Sequence, residues 1–443
     1  MSWLKSQGPS GAPRGSPRRR PEQRATLGAM RLRASAVVLA ALAAACGGNA
    51  PASREPPAEV DERVEPLVLA PEANPARGVL PIAAVFPTMG RYAVSGLQSL
   101  QGARIAVDEI NAEGGVHGRP LWLAEYRTGS SLFDARHAAA LAARDGALAI
   151  VGANSSELSQ AVAEEAEANG VLQITNVSTA ADLTWDPQGG RNRPFVFRMC
   201  ATDDVMGELL AGFARDQLHA KRAAVLYEVG RTYSQRLARS FIGRFADDVA
   251  GHAVAEFHYL ALETDFRPQL LQVEDFRPDV LFVPGSFSDA TLIAAQAVKV
   301  GLHVTMLGGD AWSSPLLFQR GGPPGDAYYA ELCSPSPEFD RRYAVSEGQE
   351  PPGCRAVLAY DAVKSIAAGL RSLGPLPDEA LDASLVGTRR RLRDAVAHDV
   401  VVGATGRIRF DAHGDRRQGV ALYSVEKTPF GPRALVRGWL GEP

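Results

Sequence analysis

The stretch ALAIVGANSSELSQAVAEEAEANG, Ala147 to Gly170, reads as a short apolar strand, a small polar turn and a helix. The turn is Gly152-Ala153-Asn154-Ser155-Ser156. A phosphate cradle needs G-x-G-x-x-G or G-K-[ST] at such a place, and neither is present. Ser156 does not sit in G-x-S-x-G, and no downstream His has a matching context, so a serine nucleophile lacks its base. Two readings stay open: a plain helix cap by Asn154 or Ser155, or an anchor that offers Ser155 and Ser156 to an anionic ligand.

Outward from this stretch, apolar strands and amphipathic helices alternate. VLPIAAVF is a strand, LQGARIAVDEINAEGG a helix with Ala103, Val107 and Ile110 at helical spacing, and PLWLAEYR a strand. The alternation resumes after the turn-rich WDPQGGRNRP with AAVLYEV, a helix, HAVAEFHYL, DVLFVPGS, another helix and VTMLGGD. Such alternation predicts an α/β fold of parallel sheets flanked by helices, in two blocks. The expected boundaries are 79–198 and 199–325 for the first parts of lobes 1 and 2, 326–408 as a return to lobe 1, and 409–443 closing lobe 2.

The N-terminal region is different. Of 47 basic and 50 acidic residues, eight and one respectively precede Cys46, leaving 39 against 49 and a formal charge of −10. That balance implies no basic surface for nucleic acid. Met30-Arg31-Leu32-Arg33 begins a positive segment, and Ala34 to Ala45 is apolar but too short to span a bilayer. Small residues before a lone Cys predict a lipoprotein signal peptide over 30–45 with Cys46 as the lipidated residue; a simple secretory signal is the alternative. Residues 1–29 are expected to be a non-native extension, and 46–78 a disordered tether. Cys333 and Cys354 either pair across a Pro-rich loop or remain two reduced, buried thiols, and Cys200 is left over. No metal spacing and no cofactor motif occurs.

In open parallel sheets, ligands collect beyond the carboxyl ends of strands. The polar residues there are Ser155, Ser156, Ser178, Thr179, Tyr233, Ser286 and Asp310. Hydroxyls at helix N-termini suit a carboxylate, and a carboxylate from the other lobe suits an ammonium, so the set fits a zwitterion. Singly, each also has a plain structural role as cap, turn or core. The Asp203-Asp204 pair on a helical stretch reads as a solvated face.

From about Val79 to Lys427 the chain resembles the periplasmic leucine/isoleucine/valine-binding proteins that feed ABC transporters. The resemblance is carried by GARIAVDEINAEGGVHGRPL, VGANSSELSQAVAEEAEANGVLQITNVSTAADLT, LGGDAW, AYDAV and GATGRIRFDAHGD. It implies a type I periplasmic binding fold, with Rossmann-like lobes on a three-segment hinge, and no enzymatic activity. By position, Ser156 and Thr179 would bind an α-carboxylate, the Val177 carbonyl and Asp310 the ammonium, with Tyr233 beside the cleft. Ser95 and Ser286 fall where aliphatic amino-acid binders place aromatic walls; Tyr92, Phe287 and Trp312 are neighbours that could substitute. Arg355 falls near an expected apolar pocket residue and either meets an acidic side chain or faces water. The implied partners are a small amino acid or related carboxylate, an ABC permease and a membrane through the lipid on Cys46. The rival is a sensor or regulatory lipoprotein on the same scaffold.

Overall fold

The computed structural model describes residues 65–71, 77–246, 251–314, 316–319, 322–347, 353–428 and 431–441. The extension 1–29, the signal segment, Cys46 and most of the tether lie outside the described residues.

The first lobe holds β1 (Val68–Leu69), β2 (Leu80–Pro87), β3 (Leu121–Thr128), β4 (Ala149–Gly152), β5 (Leu172–Thr175), the small hairpin β6 (Trp185–Asp186) and β7 (Arg191–Asn192), and β8 (Val196–Arg198). Its helices are α1 (Ala93–Ala112), α2 (Leu132–Arg144) and α3 (Ser156–Asn169). The sheet runs β1-β3-β2-β4-β5-β8, parallel except where β1 pairs antiparallel with β3. β2 is buried on both faces because its alternate residues serve different cores. Ile82, Ala84 and Phe86 join Leu100, Ala106 and Ile110 of α1; Ala83 and Val85 join Ala138 of α2 and Val162 of α3.

The second lobe begins with α4 (Asp203–Asp216), β9 (Arg222–Glu228), α5 (Thr232–Ala246), β10 (Ala253–Tyr259), α6 (Arg267–Phe276), β11 (Val280–Phe282), α7 (Phe287–Lys299), β12 (Thr305–Gly308) and β13 (Ala327–Glu331). Then come α8 (Pro337–Glu347), α9 (Gly353–Ser372), α10 (Asp378–Ala383), α11 (Leu385–His398), the hairpin β14 (Val401–Gly403) and β15 (Gly406–Ile408), and finally β16 (Val420–Thr428) and β17 (Gly431–Leu440). The second sheet is ordered β10-β9-β11-β12-β13-β16-β17, with its last two strands antiparallel. Helix α9 returns to the first lobe and packs along α1. In each sheet the chain order reverses beside the first strand, β2 or β9, and such reversals open crevices at the strand ends.

Three expectations need correction. Val68 and Leu69, expected in the tether, pair with Thr128 and Arg127, and Asp134 anchors the adjacent Leu67 amide at 2.8 Å. β13, expected in the return to lobe 1, pairs in parallel with β12, so the second crossing follows Glu331 instead of residue 325. Arg416 still bonds the Arg198 carbonyl at 3.0 Å, so the last crossing lies between Arg416 and Val420 and not at 409.

The crossings are fastened together. Arg198, fully buried at the end of β8, donates Nε and Nη2 to Asp415 Oδ1 at 3.0 and 2.6 Å. Its Nη1 donates to the Ala180 carbonyl at 2.6 Å. Cys333, just beyond β13, forms a disulfide with Cys354 in the first turn of α9. Cys200 is a buried free thiol. Among the described residues, no helix is long and apolar enough to cross a membrane.

Candidate functional site

The opening turn is shaped by its backbone. Gly152 has φ +133°, and a Cβ there would lie 2.1 Å from the Val85 carbonyl oxygen, so glycine alone permits this close approach. The Gly152–Ala153 peptide is cis. Gln173 Nε2 donates to the Gly152 carbonyl and Thr175 Oγ1 to the Ala153 carbonyl, both at 2.8 Å. Asn154 donates Nδ2 to Ser95 Oγ at 2.8 Å. Ser155 is the cap: its Oγ accepts from the Leu158 amide at 3.4 Å. Ser156 is therefore released from capping. It is half-buried at the first position of α3, where its N–H has no intrahelical acceptor. Thr179 follows β5 and is buried, its carbonyl taken by the Asp203 amide at 2.9 Å. Val177 is half-buried against the core.

The second lobe contributes Tyr233 and Asp310. Gly309 lacks the Cβ that would stand 2.4 Å from Tyr233 Oη, and this gap lets the phenol reach Asp310 Oδ1 at 2.8 Å. Asp310 is half-buried by surface area, yet protein atoms crowd its carboxylate. Burial raises its pKa, while the Tyr233 hydrogen bond and the charges of Arg355 and Arg231 favour the anion. Burial and Asp310 together hold the Tyr233 phenol protonated. Arg231 stacks over the Tyr233 ring at 5.6 Å and lies 3.7 Å from Glu228. Burial works against its charge, and the Glu228 carboxylate favours it. Arg236 and Asp182 form an ion pair between the lobes.

Besides Ser155, three expected ligand residues are committed elsewhere. The Ser178 hydroxyl is buried and hydrogen-bonded to Ser159 Oγ at 2.6 Å. Ser286 closes a capping box with Asp289 at the start of α7. Trp312 is fully buried in the second core, its Nε1 donating to the Val283 carbonyl at 3.0 Å, so it walls no cleft.

Three charged groups join the set. Asp203, read as a solvated face with Asp204, is fully buried, whereas Asp204 is exposed. Both Asp203 oxygens lack a hydrogen bond of ordinary geometry, although the Thr179 hydroxyl approaches closely enough to favour its anion. Burial, reinforced by Asp310, pushes its pKa to about 7. Glu331 ends β13, 4% exposed; its Oε1 accepts from the Leu332 amide at 2.9 Å and its Oε2 has no partner. Burial pushes it to about 7 as well, against the pull of Arg355. Arg355, half-buried, senses both Asp310 and Glu331. Glu331 follows the same strand-end rule that found Ser156 and Asp310, so extending that rule to AYYAE exposes it.

Both raised carboxyls bind protons more tightly folded than unfolded. Their stabilising contribution is complete below about pH 4 and lost as the pH rises through 7. The ligand-free protein is therefore expected to melt lower at pH 8 than at pH 5. Asp203→Asn should flatten that slope and raise the pH 8 melting point by roughly 2–4 °C. Parallel melting curves for variant and wild type across pH 5–8 would remove Asp203 as the cause.

Similarity to known proteins is consistent with this geometry. The family model described as periplasmic binding protein matches residues 79–428. A Leu/Ile/Val-binding protein, BraC3, from Rhizobium johnstonii is 27% identical over 372 residues, covering 82% of this chain and 95% of its own. Leu/Ile/Val-binding protein homolog 3 of Brucella melitensis is 26% identical over 331 residues, 73% of this chain and 87% of its own. The solved leucine binding protein LivK of Thermotoga maritima superposes with TM-score 0.70 at 27% identity, covering 82% of this chain and 99% of that one.

Proposed function

The chain belongs to the periplasmic binding protein family, and from that premise we propose that it captures a free α-amino acid between its lobes and delivers it to an ABC permease. The observation that carries this reading is a complementary pair of features. One lobe offers the start of α3 with an uncommitted Ser156, and the other offers Asp310 steadied by Tyr233. The α-carboxylate docks on the Ser156 and Thr179 groups, where the helix dipole favours an anion. The ammonium pairs with Asp310, and closure then excludes water and strengthens each charge-assisted bond. The relatives named for Leu/Ile/Val binding support an amino acid as the cargo. Lipidation of Cys46 would hold the binder at a membrane of the cell envelope.

A thermal-shift screen of the twenty amino acids, with small carboxylates and amides lacking an amino group, tests the reading. At least one α-amino acid should raise the melting point, and its decarboxylated amine should not. Ser156→Ala should weaken that ligand by about 1.5–3 kcal/mol, the worth of a hydrogen bond to a charged group. A screen in which no amino acid moves the melting point sinks the proposal.

A further inference from the structure

Resting on that reading, we propose that the amino acid taken up ends in a primary carboxamide, read by the Glu331 carboxylate and the Arg355 guanidinium. The two groups come from different lobes and are brought near each other by the chain. Cys333 lies two residues after Glu331, and Cys354 lies immediately before Arg355, so their disulfide, with Cα atoms 5.6 Å apart, fixes the end of β13 beside the start of α9. The start of α9 is also held from the first lobe, since Asn176 Nδ2 donates to the Arg355 carbonyl at 2.8 Å.

The pair is close enough to interact electrostatically, yet forms no ion pair within 4 Å among the described residues. Glu331 Oε2 is buried without a partner, and the Ser313 hydroxyl nearby closes no hydrogen bond of ordinary geometry with it. The Arg355 guanidinium, half-buried, donates no hydrogen bond to any described residue. A branched aliphatic side chain closed against these groups would leave a buried acceptor and several cationic donors stripped of water, an arrangement that works against binding.

Charge narrows the choice. Asp310, needed for the α-ammonium, already shares this region with Asp203 and Glu331. A side-chain carboxylate would satisfy Arg355 while placing a further anion beside three carboxyls whose charge burial already disfavours. A side-chain ammonium would satisfy Glu331 while facing Arg355. A carboxamide answers both without net charge: its NH2 donates to Glu331 Oε2 and its C=O accepts from Arg355. It is also close to leucine in size, so it needs no larger cleft than a family relative's.

Calorimetric titration of the full chain with glutamine, asparagine, leucine, glutamate and lysine tests this. The better of the two amides should bind on the order of 100-fold more tightly than leucine, because leucine leaves both groups unpaired. Arg355→Met, which disturbs no side-chain hydrogen bond, should collapse that preference to near parity, and Glu331→Gln should reduce it. Leucine binding as tightly as either amide overturns the carboxamide assignment while sustaining amino-acid capture. Glutamate or lysine binding tightest overturns it in favour of a charged side chain, and an unchanged amide preference in Arg355→Met overturns the role of Arg355. No binding by any of the five in a folded protein overturns this inference and, with the full screen silent, the capture reading as well.

Discussion

Asp310→Ala should lose amino-acid binding by about 3–5 kcal/mol, the usual penalty for stripping one partner from a buried ion pair. That corresponds to a dissociation constant raised by more than about 100-fold. On the proposed reading the loss is large because lobe closure would strip water from the ligand ammonium and leave it without the carboxylate that Tyr233 holds. The ligand-free variant should not be less stable for want of the charge, since burial already disfavours the Asp310 anion. Calorimetry with the best ligand and a melt of the free protein separate the two effects. Asp310→Asn should keep the Tyr233 hydrogen bond yet still bind poorly, because the charge is missing. Wild-type affinity in Asp310→Ala would refute the assignment.

The second large effect concerns stability. Asp415→Ala leaves the Arg198 guanidinium, with no exposed side-chain surface, without its carboxylate. Removing one member of such a pair costs about 3–5 kcal/mol, so the melting temperature should fall by roughly 4–6 °C. Asp415 also accepts from Thr184 Oγ1 at 2.9 Å, so the loss reaches the loop that begins with the candidate residue Thr179. Asp415→Asn, which can still accept from Arg198, should fall less. A denaturant midpoint unchanged in Asp415→Ala would show that Arg198 is adequately held by the Ala180 carbonyl and other backbone acceptors.

Much of this architecture is legible from residue patterns, for a physical reason. Strand β2 alternates nothing polar because both its faces are covered, and α1 places Ala103, Val107 and Ile110 on one side; local rules see both. The placement of Ser156, Tyr233 and Asp310 just beyond strand ends is legible for the same reason, since the strands themselves are. Asp203 misleads because its burial is tertiary. In sequence it resembles its exposed neighbour Asp204, and its burial comes from distant parts of the chain, among them the loop bearing Thr179, whose carbonyl accepts the Asp203 amide. Trp312 fails similarly. Two residues after Asp310 in sequence, it turns through a short helical turn into the second core. The segments bearing Glu331 and Arg355 are joined by the Cys333–Cys354 disulfide across 21 positions, and no local pattern reports that juxtaposition.

The order of synthesis follows from the interleaved lobes. The first sheet is complete in sequence by Arg198, but α9, which packs on α1, is not made until residues 353–372. The second sheet waits longer, since β16 and β17 occupy 420–440. A nascent chain, emerging amino end first, therefore cannot bury either core fully until nearly all of it has been translated. Any product stopped before residue 353 leaves the apolar face of α1 bare, and no contiguous half of the chain contains a finished lobe. This late completion leaves any partly made chain with both cores open to solvent.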